Sequence, residues 1–365
     1  HRGGATLTPG SLRVESAQGS DREAVYVMAE RRKCPLTGQW RLIGGTPKSG
    51  FSNSKEACPF CPGNEKLSGP EIMAFRDQGR ADGHGWKVRT VPNAKPVLRI
   101  GKLLRSAEGI YDLMNEKGAD EIIIEAPEHG RRFVELETTQ VQDVLWMYRQ
   151  RMLNLKEDPE IRQVLVFRDQ DDPCREHPHS QILGLTFVPA RVLSELNQAR
   201  YHYSWKERCV LCDVISQEMM TGRRLVKVGS SFVALVPFAP RFCNELWIIP
   251  RAHHAFFEQH LSPPLAHELA VILKEVLAAY ERVYPGVEWS YTIHTGPNVG
   301  SAKIKKDQWK TIDDDFHWHI EVVPHSPLTR FENRSGIYST IEAPEDVAAA
   351  LRQELEASAS GQTAA

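Results

Sequence analysis

One arrangement of cysteine and histidine occurs twice along the chain, and it limits the possible folds more than any other feature. The first copy runs Cys58-Pro-Phe-Cys61, then Glu121 with His129 eight residues on, then His177-Pro-His179. The second runs Cys209-Val-Leu-Cys212, then Glu245 with His253 eight residues on, then His317-Trp-His319. Two thiolates and two imidazoles complete a closed tetrahedral zinc site, with sulfur at about 2.3 Å from the metal. The pattern therefore predicts two zinc ions per chain, one at Cys58, Cys61, His129 and His177 and one at Cys209, Cys212, His253 and His317. His254 competes with His253, and the register of Glu121 against His129 favours His253. The second histidine of each His-x-His pair lies two residues along a strand, so it shares the ligand's face and is placed for other work.

Duplication within 365 residues reads as one body built from two similar halves rather than two unrelated domains. A composition of 41% hydrophobic and 25% charged residues with a formal net charge of −2 suits a soluble globular protein. It gives no electrostatic reason for a nucleic-acid or membrane partner, so a small molecule is expected. The start, His1-Arg2-Gly3-Gly4, has no initiator Met and no signal-peptide core, and reads as trimmed or tagged. Seven cysteines, with Cys34, Cys174 and Cys243 outside the pairs, make a poor disulfide framework and point to a reducing, cytoplasmic setting. A thioredoxin-like redox pair is the other reading of C-x-x-C, and the ordered histidines downstream favour metal.

Residues 1–22 read as a loose arm and 357–365 as a disordered tail, leaving halves at 23–200 and 201–356. Strands are expected at 25–28, 40–43, 119–125 and 163–168, with a turn at Pro35-Leu36-Thr37-Gly38. Between the last two strands, Val141, Val144, Leu145, Tyr148, Met152 and Leu155 form the apolar stripe of a helix. The second half repeats the order, with strands at 231–237, 244–250, 289–294 and 316–323. Its helix carries Leu265, Leu269, Ile272, Leu273, Val276, Tyr280 and Val283, and a last helix begins at Pro344. The expected class is α+β, with two halves joined in one large mixed or antiparallel sheet flanked by helices.

The segments Cys58–Asn64, Val91-Pro92-Asn93-x-x-Pro96, Ala126–His129, His177-Pro178-His179-Ser180-Gln181, Glu195 and Phe316-His317-x-His319 occur in an order that resembles the galactose-1-phosphate uridylyltransferase family, a branch of the histidine-triad superfamily. The chain also resembles the ADP-glucose phosphorylase branch, which shares the His-x-His-Ser-Gln wording and a second C-x-x-C set. The resemblance covers most of residues 24–356. It implies histidine-triad-like halves, a homodimer, and nucleotidyl transfer between a nucleotide sugar and a sugar 1-phosphate, through a covalent adduct on His179. It implies that Gln181 holds the phosphate oxygens, that His177 ligates zinc while its carbonyl orients His179, and that Asn93, Arg175, Ser180 and Phe331 contact substrate. It also offers a second-type metal, iron or zinc, at Glu195, His294, His317 and His319, but His317 cannot serve two sites and thiolates select zinc.

The chain departs from the family at three places. Asp169–Glu176 is short and acidic where the family carries a Gly-rich, Ser-bearing phosphate loop. Residues 44–50 offer Lys48 where the family has paired arginines, and Tyr338-Ser339 stands where the family has a sugar-gripping Tyr-Glu. Glu332 is a candidate to replace that acid. The first reading is a hexose-1-phosphate uridylyltransferase, and the rivals are a nucleotide-sugar phosphorylase or hydrolase, or a zinc-stabilised nucleotide-binding protein that has lost catalysis.

Overall fold

The computed structural model describes residues 30–43, 58–115, 117–170, 177–301, 309–325 and 329–361. The expected strand at 25–28, Lys48, Cys174 and Arg175 lie outside these residues. The first half contains strands β1 (Glu30–Lys33), β2 (Trp40–Ile43), β3 (Met73–Arg76), β4 (Trp86–Pro92), β5 (Arg105–Glu108), β6 (Tyr111–Asn115) and β7 (Gly118–Ile124). Helix α1 (Thr138–Lys156) and strands β8 (Gln163–Asp169) and β9 (His179–Leu185) complete it. Helices α2 (Ala190–Lys206) and α3 (Val210–Thr221) lead to β10 (Leu225–Val228), β11 (Phe232–Leu235), β12 (Leu246–Pro250), α4 (Phe257–His260) and α5 (Pro263–Val283). The chain then runs through β13 (Trp289–His294), α6 (Ile312–Asp315), β14 (His319–Pro324), α7 (Arg330–Ser335) and α8 (Pro344–Ala359).

A ten-stranded sheet in the order β10-β11-β12-β14-β13-β8-β9-β7-β4-β3 carries both halves, and its pairings are antiparallel. The order reads as one five-strand motif and its inverted copy, meeting where β13 pairs β8 through Tyr291↔Arg168 and Thr292↔Phe167. The α+β, two-half expectation thus holds. A smaller sheet, β2-β1-β6-β5, stands apart. No helix among the described residues is long and apolar enough to cross a membrane.

Alternation along the strands sorts side chains to two faces. On one face Ile123, Val164, Val166, Ile182, Ile248, Ile293 and Ile320 are buried in a core with α1, α5 and α8. The stripe expected on α1 is buried there, except that Leu155 is only partly so. Pro263 begins α5 and Pro344 begins α8, where proline's missing N–H costs no intrahelical bond. Gly118 admits β7 close to β9, since a Cβ there would meet the Gly184 carbonyl oxygen at 2.4 Å.

Elements α2, α8, β5 and β6 are among those that differ from the sequence reading. The boundary drawn at residue 200 falls inside α2, whose few buried apolar residues, Val192, Leu196 and Ala199, give a weak stripe among polar neighbours. Helix α8 continues past Ala357 to Ala359, because Arg282 donates to the Ser358 hydroxyl at 2.7 Å and also binds Glu354. Strands β5 and β6 were not expected, as their mostly exposed residues carry no apolar alternation.

A polar network crosses the seam inside the main core. The Tyr148 hydroxyl lies 2.8 Å from Ser180 Oγ, 2.9 Å from the Tyr291 hydroxyl and 3.2 Å from Glu125. Arg168 donates to Glu125 at 3.0 Å, and its guanidinium also lies over the rings of Phe133 and Trp289. Both ion-pair partners are almost wholly buried, so removing one leaves an uncompensated charge. Arg168→Leu is expected to cost about 3–5 kcal/mol in urea unfolding, and Glu125→Leu in the same chain to return part of it.

Candidate active site

The structure brings both four-residue sets together, each with its ligand atoms within 4.8 Å of one another. Cys58 Sγ and Cys61 Sγ stand 3.8 and 3.6 Å from His177 Nδ1, and Cys61 Sγ stands 3.6 Å from His129 Nδ1. Cys212 Sγ lies 3.5 Å from both His253 Nδ1 and His317 Nδ1, and Cys209 Sγ lies 3.9 Å from His317 Nδ1. A tetrahedron with sulfur at about 2.3 Å and nitrogen at about 2.1 Å from a central metal has edges of about 3.6 Å, so both donor sets fit zinc. Backbone carbonyls fix the ring tautomers: His177 Nε2 donates to Ala126 O at 2.6 Å and His253 Nε2 to Asp313 O at 2.8 Å, which leaves the Nδ1 lone pairs facing the thiols. Burial pushes His177 down to about 4, so the ring is a neutral ligand at pH 7. Burial and the neighbouring Cys58 push the Cys61 thiol up to about 11, a repulsion that a cation between the sulfurs would relieve.

The third metal set assembles without His317, whose Nδ1 faces the cysteines. Glu195, His294 and His319 remain, buried or partly buried. Burial opposes the charge on His294, but ion pairs with Glu195 at 2.8 Å and Glu321 at 3.3 Å outweigh it and raise the group to about 9. Arg191 binds both acids, at 2.7 and 2.9 Å. The rings of His294 and His319 stack at 4.8 Å. The shared Glu-to-His spacing also conceals a shift. Ile182 opposes Glu121 and Val322 opposes Leu246, so Leu246 and not Glu245 is the strand equivalent of Glu121. Glu121 binds Arg151 on the helix-covered core face, whereas Glu245 accepts from Trp247 and the Arg241 amide on the other.

His179 opens β9 on the face away from α1. Its Nδ1–H donates to the His177 carbonyl at 2.9 Å, which puts the ring's lone pair on Nε2. Phe60, from the first C-x-x-C turn, packs against both rings, at 6.1 Å from His177 and 5.7 Å from His179. The first C-x-x-C loop and the His179 ring are thereby coupled through one buried side chain. Gln181 shares this face and donates through Nε2 to Asp120 at 2.6 Å, and Asn93 donates to the same carboxylate oxygen at 3.0 Å. Sequence reading missed Asp120. Its only signal was a single acid beside the glutamate of a strand read as buried. Burial raises the Asp120 carboxyl, while hydrogen bonds from Asn93, Val97 and Gln181 act against that rise.

Of the expected substrate contacts, Ser180 and the acid candidate Glu332 stand differently. Ser180 alternates to the opposite face, is 1% exposed and meets Tyr148, so the pleat of β9 separates it from His179. Phe331 is exposed on α7. Glu332 is engaged as a cap: it accepts from the Thr329 amide at 2.7 Å and the Ser339 amide at 2.9 Å, bonds that hold it down at about 2. It is therefore not placed to replace a sugar-gripping acid.

Comparison with known proteins shows which proteins this chain resembles. Residues 11–189 match the family model for the N-terminal domain of galactose-1-phosphate uridyl transferase. The chain is 28% identical over 354 residues to an ADP-glucose phosphorylase from Arabidopsis thaliana, covering 92% of this chain and 96% of the relative. It is 25% identical over 303 residues to a galactose-1-phosphate uridylyltransferase from Thermotoga maritima, covering 81% and 87%. A solved uridylyltransferase shares the fold with a TM-score of 0.74 at 24% identity, covering 90% of this chain and 98% of that one. A crystal structure of an Arabidopsis thaliana ADP-glucose phosphorylase with bound ADP-glucose superposes with a TM-score of 0.68 at 26% identity, covering 89% and 99%. Fold and relatives together point to the nucleotidyltransferase class, with two similar halves joined in one sheet. The protein is related to the galactose-1-phosphate uridylyltransferases, with an ADP-glucose phosphorylase among its relatives.

Proposed function

We propose that the protein moves a nucleoside monophosphate from a nucleoside diphosphate hexose to a phosphate acceptor through a covalent adduct on His179. The observation that supports this most is the bond from His179 Nδ1 to the His177 carbonyl, beside a thiol-rich cluster that fits zinc. Nε2 attacks the α-phosphorus, the bridging P–O bond breaks, and hexose 1-phosphate leaves with the bridging oxygen. The ring then carries a positive charge, which the His177 carbonyl stabilises through Nδ1–H. An oxygen of the second phosphate attacks the same phosphorus, the P–N bond breaks, and the imidazole returns to its starting tautomer. Zinc held by Cys58, Cys61, His129 and His177 would supply rigidity to the strand that bears the nucleophile. The second cluster would hold zinc in the other half, with Glu195, His294 and His319 forming polar core beside it.

Ser339 and the capped state of Glu332 favour inorganic phosphate as an acceptor over galactose 1-phosphate, which is the second reading. A site lacking a polar partner for a substrate hydroxyl discriminates by about 10–200-fold, against several orders of magnitude with one. The measurement is kcat/KM for galactose 1-phosphate, glucose 1-phosphate and inorganic phosphate, after charging with UDP-glucose or ADP-glucose. We expect the two sugar phosphates to differ by less than about 200-fold. A galactose preference above roughly a thousandfold, beyond what such a site supports, would return the acceptor to galactose 1-phosphate. Intact mass of the charged protein names the nucleotide.

A further inference from the structure

Gln181 bonds to a carboxylate in the neighbouring strand. Asp120 lies in β7, is 6% exposed and opposes Leu183 across the ladder, which places its side chain on the face of His179 and Gln181. Oδ1 accepts from Gln181 Nε2 at 2.6 Å and from Asn93 Nδ2 at 3.0 Å, and Oδ2 accepts from the Val97 amide at 2.8 Å. Its backbone carbonyl accepts from the Asn93 amide at 3.0 Å, and Asn93 Oδ1 accepts from the Lys95 amide at 3.0 Å. One carboxylate therefore ties the nucleophile strand to the 93–97 turn.

An ionised carboxylate only accepts hydrogen bonds, whereas a carboxamide has a donating end and an accepting end. Gln181 must turn Nε2, not Oε1, toward Asp120, and the bond is of the stronger, charge-assisted kind. We propose that Asp120 is a positioning residue that fixes the sense of the Gln181 amide, holding the second Nε2 hydrogen in place for the phosphoryl oxygens on His179. The proposal rests on the nucleotidyl-transfer reading. It explains why a buried acid sits beside a site for an anion: its charge is engaged by three donors and orients a neutral group that meets the phosphate. A reversed Gln181 amide would put Oε1 where Nε2 stood, with its lone pairs facing anionic oxygens.

Asp120→Asn preserves shape but introduces a donor. The Val97 amide requires an oxygen at the Oδ2 position, so the new Nδ2 meets the amide nitrogens of Gln181 and Asn93, and Gln181 turns over. The test measures adduct formation by rapid quench and intact mass with UDP-glucose and ADP-glucose in four proteins: wild type, Asp120→Asn, Gln181→Ala and the double variant. Asp120→Asn is expected to slow adduct formation by about 10–100-fold, the usual loss when an outer partner that orients an active side chain is removed. Zinc content and Tm should stay near wild type. In the Gln181→Ala background the same change should cost less than about twofold, since its target is gone. An equal loss in both backgrounds, with wild type forming adduct, would overturn this proposal alone. No adduct in wild type with either sugar would overturn the transfer reading and this proposal with it.

Discussion

His179→Ala is expected to eliminate the nucleotidyl adduct and to lower turnover by on the order of 10^6, the loss seen when a nucleophile that works as part of a unit is removed. The size follows from what remains. On the proposed reading, Gln181, Asn93 and the strand beside the first cysteine–histidine set would still bind the nucleotide sugar, but binding without a bond-forming atom leaves only a small residual acceleration. His177→Ala should act differently, because its Nδ1 faces Cys58 and Cys61 while its carbonyl faces His179. That variant should lose metal as well as activity, whereas His179→Ala should keep the wild-type zinc content. Ping-pong kinetics should accompany the adduct, since the first product departs before the second phosphate reacts. Survival of the adduct in His179→Ala would mean that another side chain is the nucleophile.

Metal removal should be nearly as damaging, but to the fold first. Structural zinc in small domains binds with an apparent free energy of about 10–16 kcal/mol, comparable to the whole stability of a typical domain at about 5–15 kcal/mol. Elemental analysis should find two zinc ions per chain, and stripping them with a strong chelator should abolish cooperative melting. The two sites should then separate by phenotype. Cys58→Ser should remove the adduct even in folded protein, because Phe60 between Cys58 and Cys61 packs on the His179 ring. Cys209→Ser should lower stability while the fraction that remains folded still charges. One zinc or fewer in the purified protein defeats the duplicated-site reading.

The metal sets were legible because thiols and imidazoles carry chemistry that few other patterns imitate, and their order survives in sequence. The apolar strands and α1 were legible for the same reason that they are stable: each buries a periodic stripe. What escaped was set by partners distant in sequence. Nothing near Asp120 announces that Gln181, 61 residues away, will bond to it. Ser180 was misjudged because motif adjacency to His179 outweighed strand alternation, which sends neighbours to opposite faces. Glu121 and Glu245 share a spacing yet differ in strand register, and register is fixed by the pairing strand rather than by local sequence. Helices α2 and α3, the second of which carries Cys212, bury narrow, polar-flanked stripes that a period search passes over.

The seam at β8 and β13 bears on how such a chain could be divided. Joined, the large sheet has two rims, β3 and β10, and α8 packs beside β10. Cut between α2 and α3, each fragment would gain a bare rim, β8 in one and β13 in the other, the surface that invites pairing with strangers. The covalent tether keeps the two complementary rims at an effective concentration in about the millimolar range, so that correct closure outruns intermolecular capture. The duplicated halves are thus tied together by the hazard that each would pose alone.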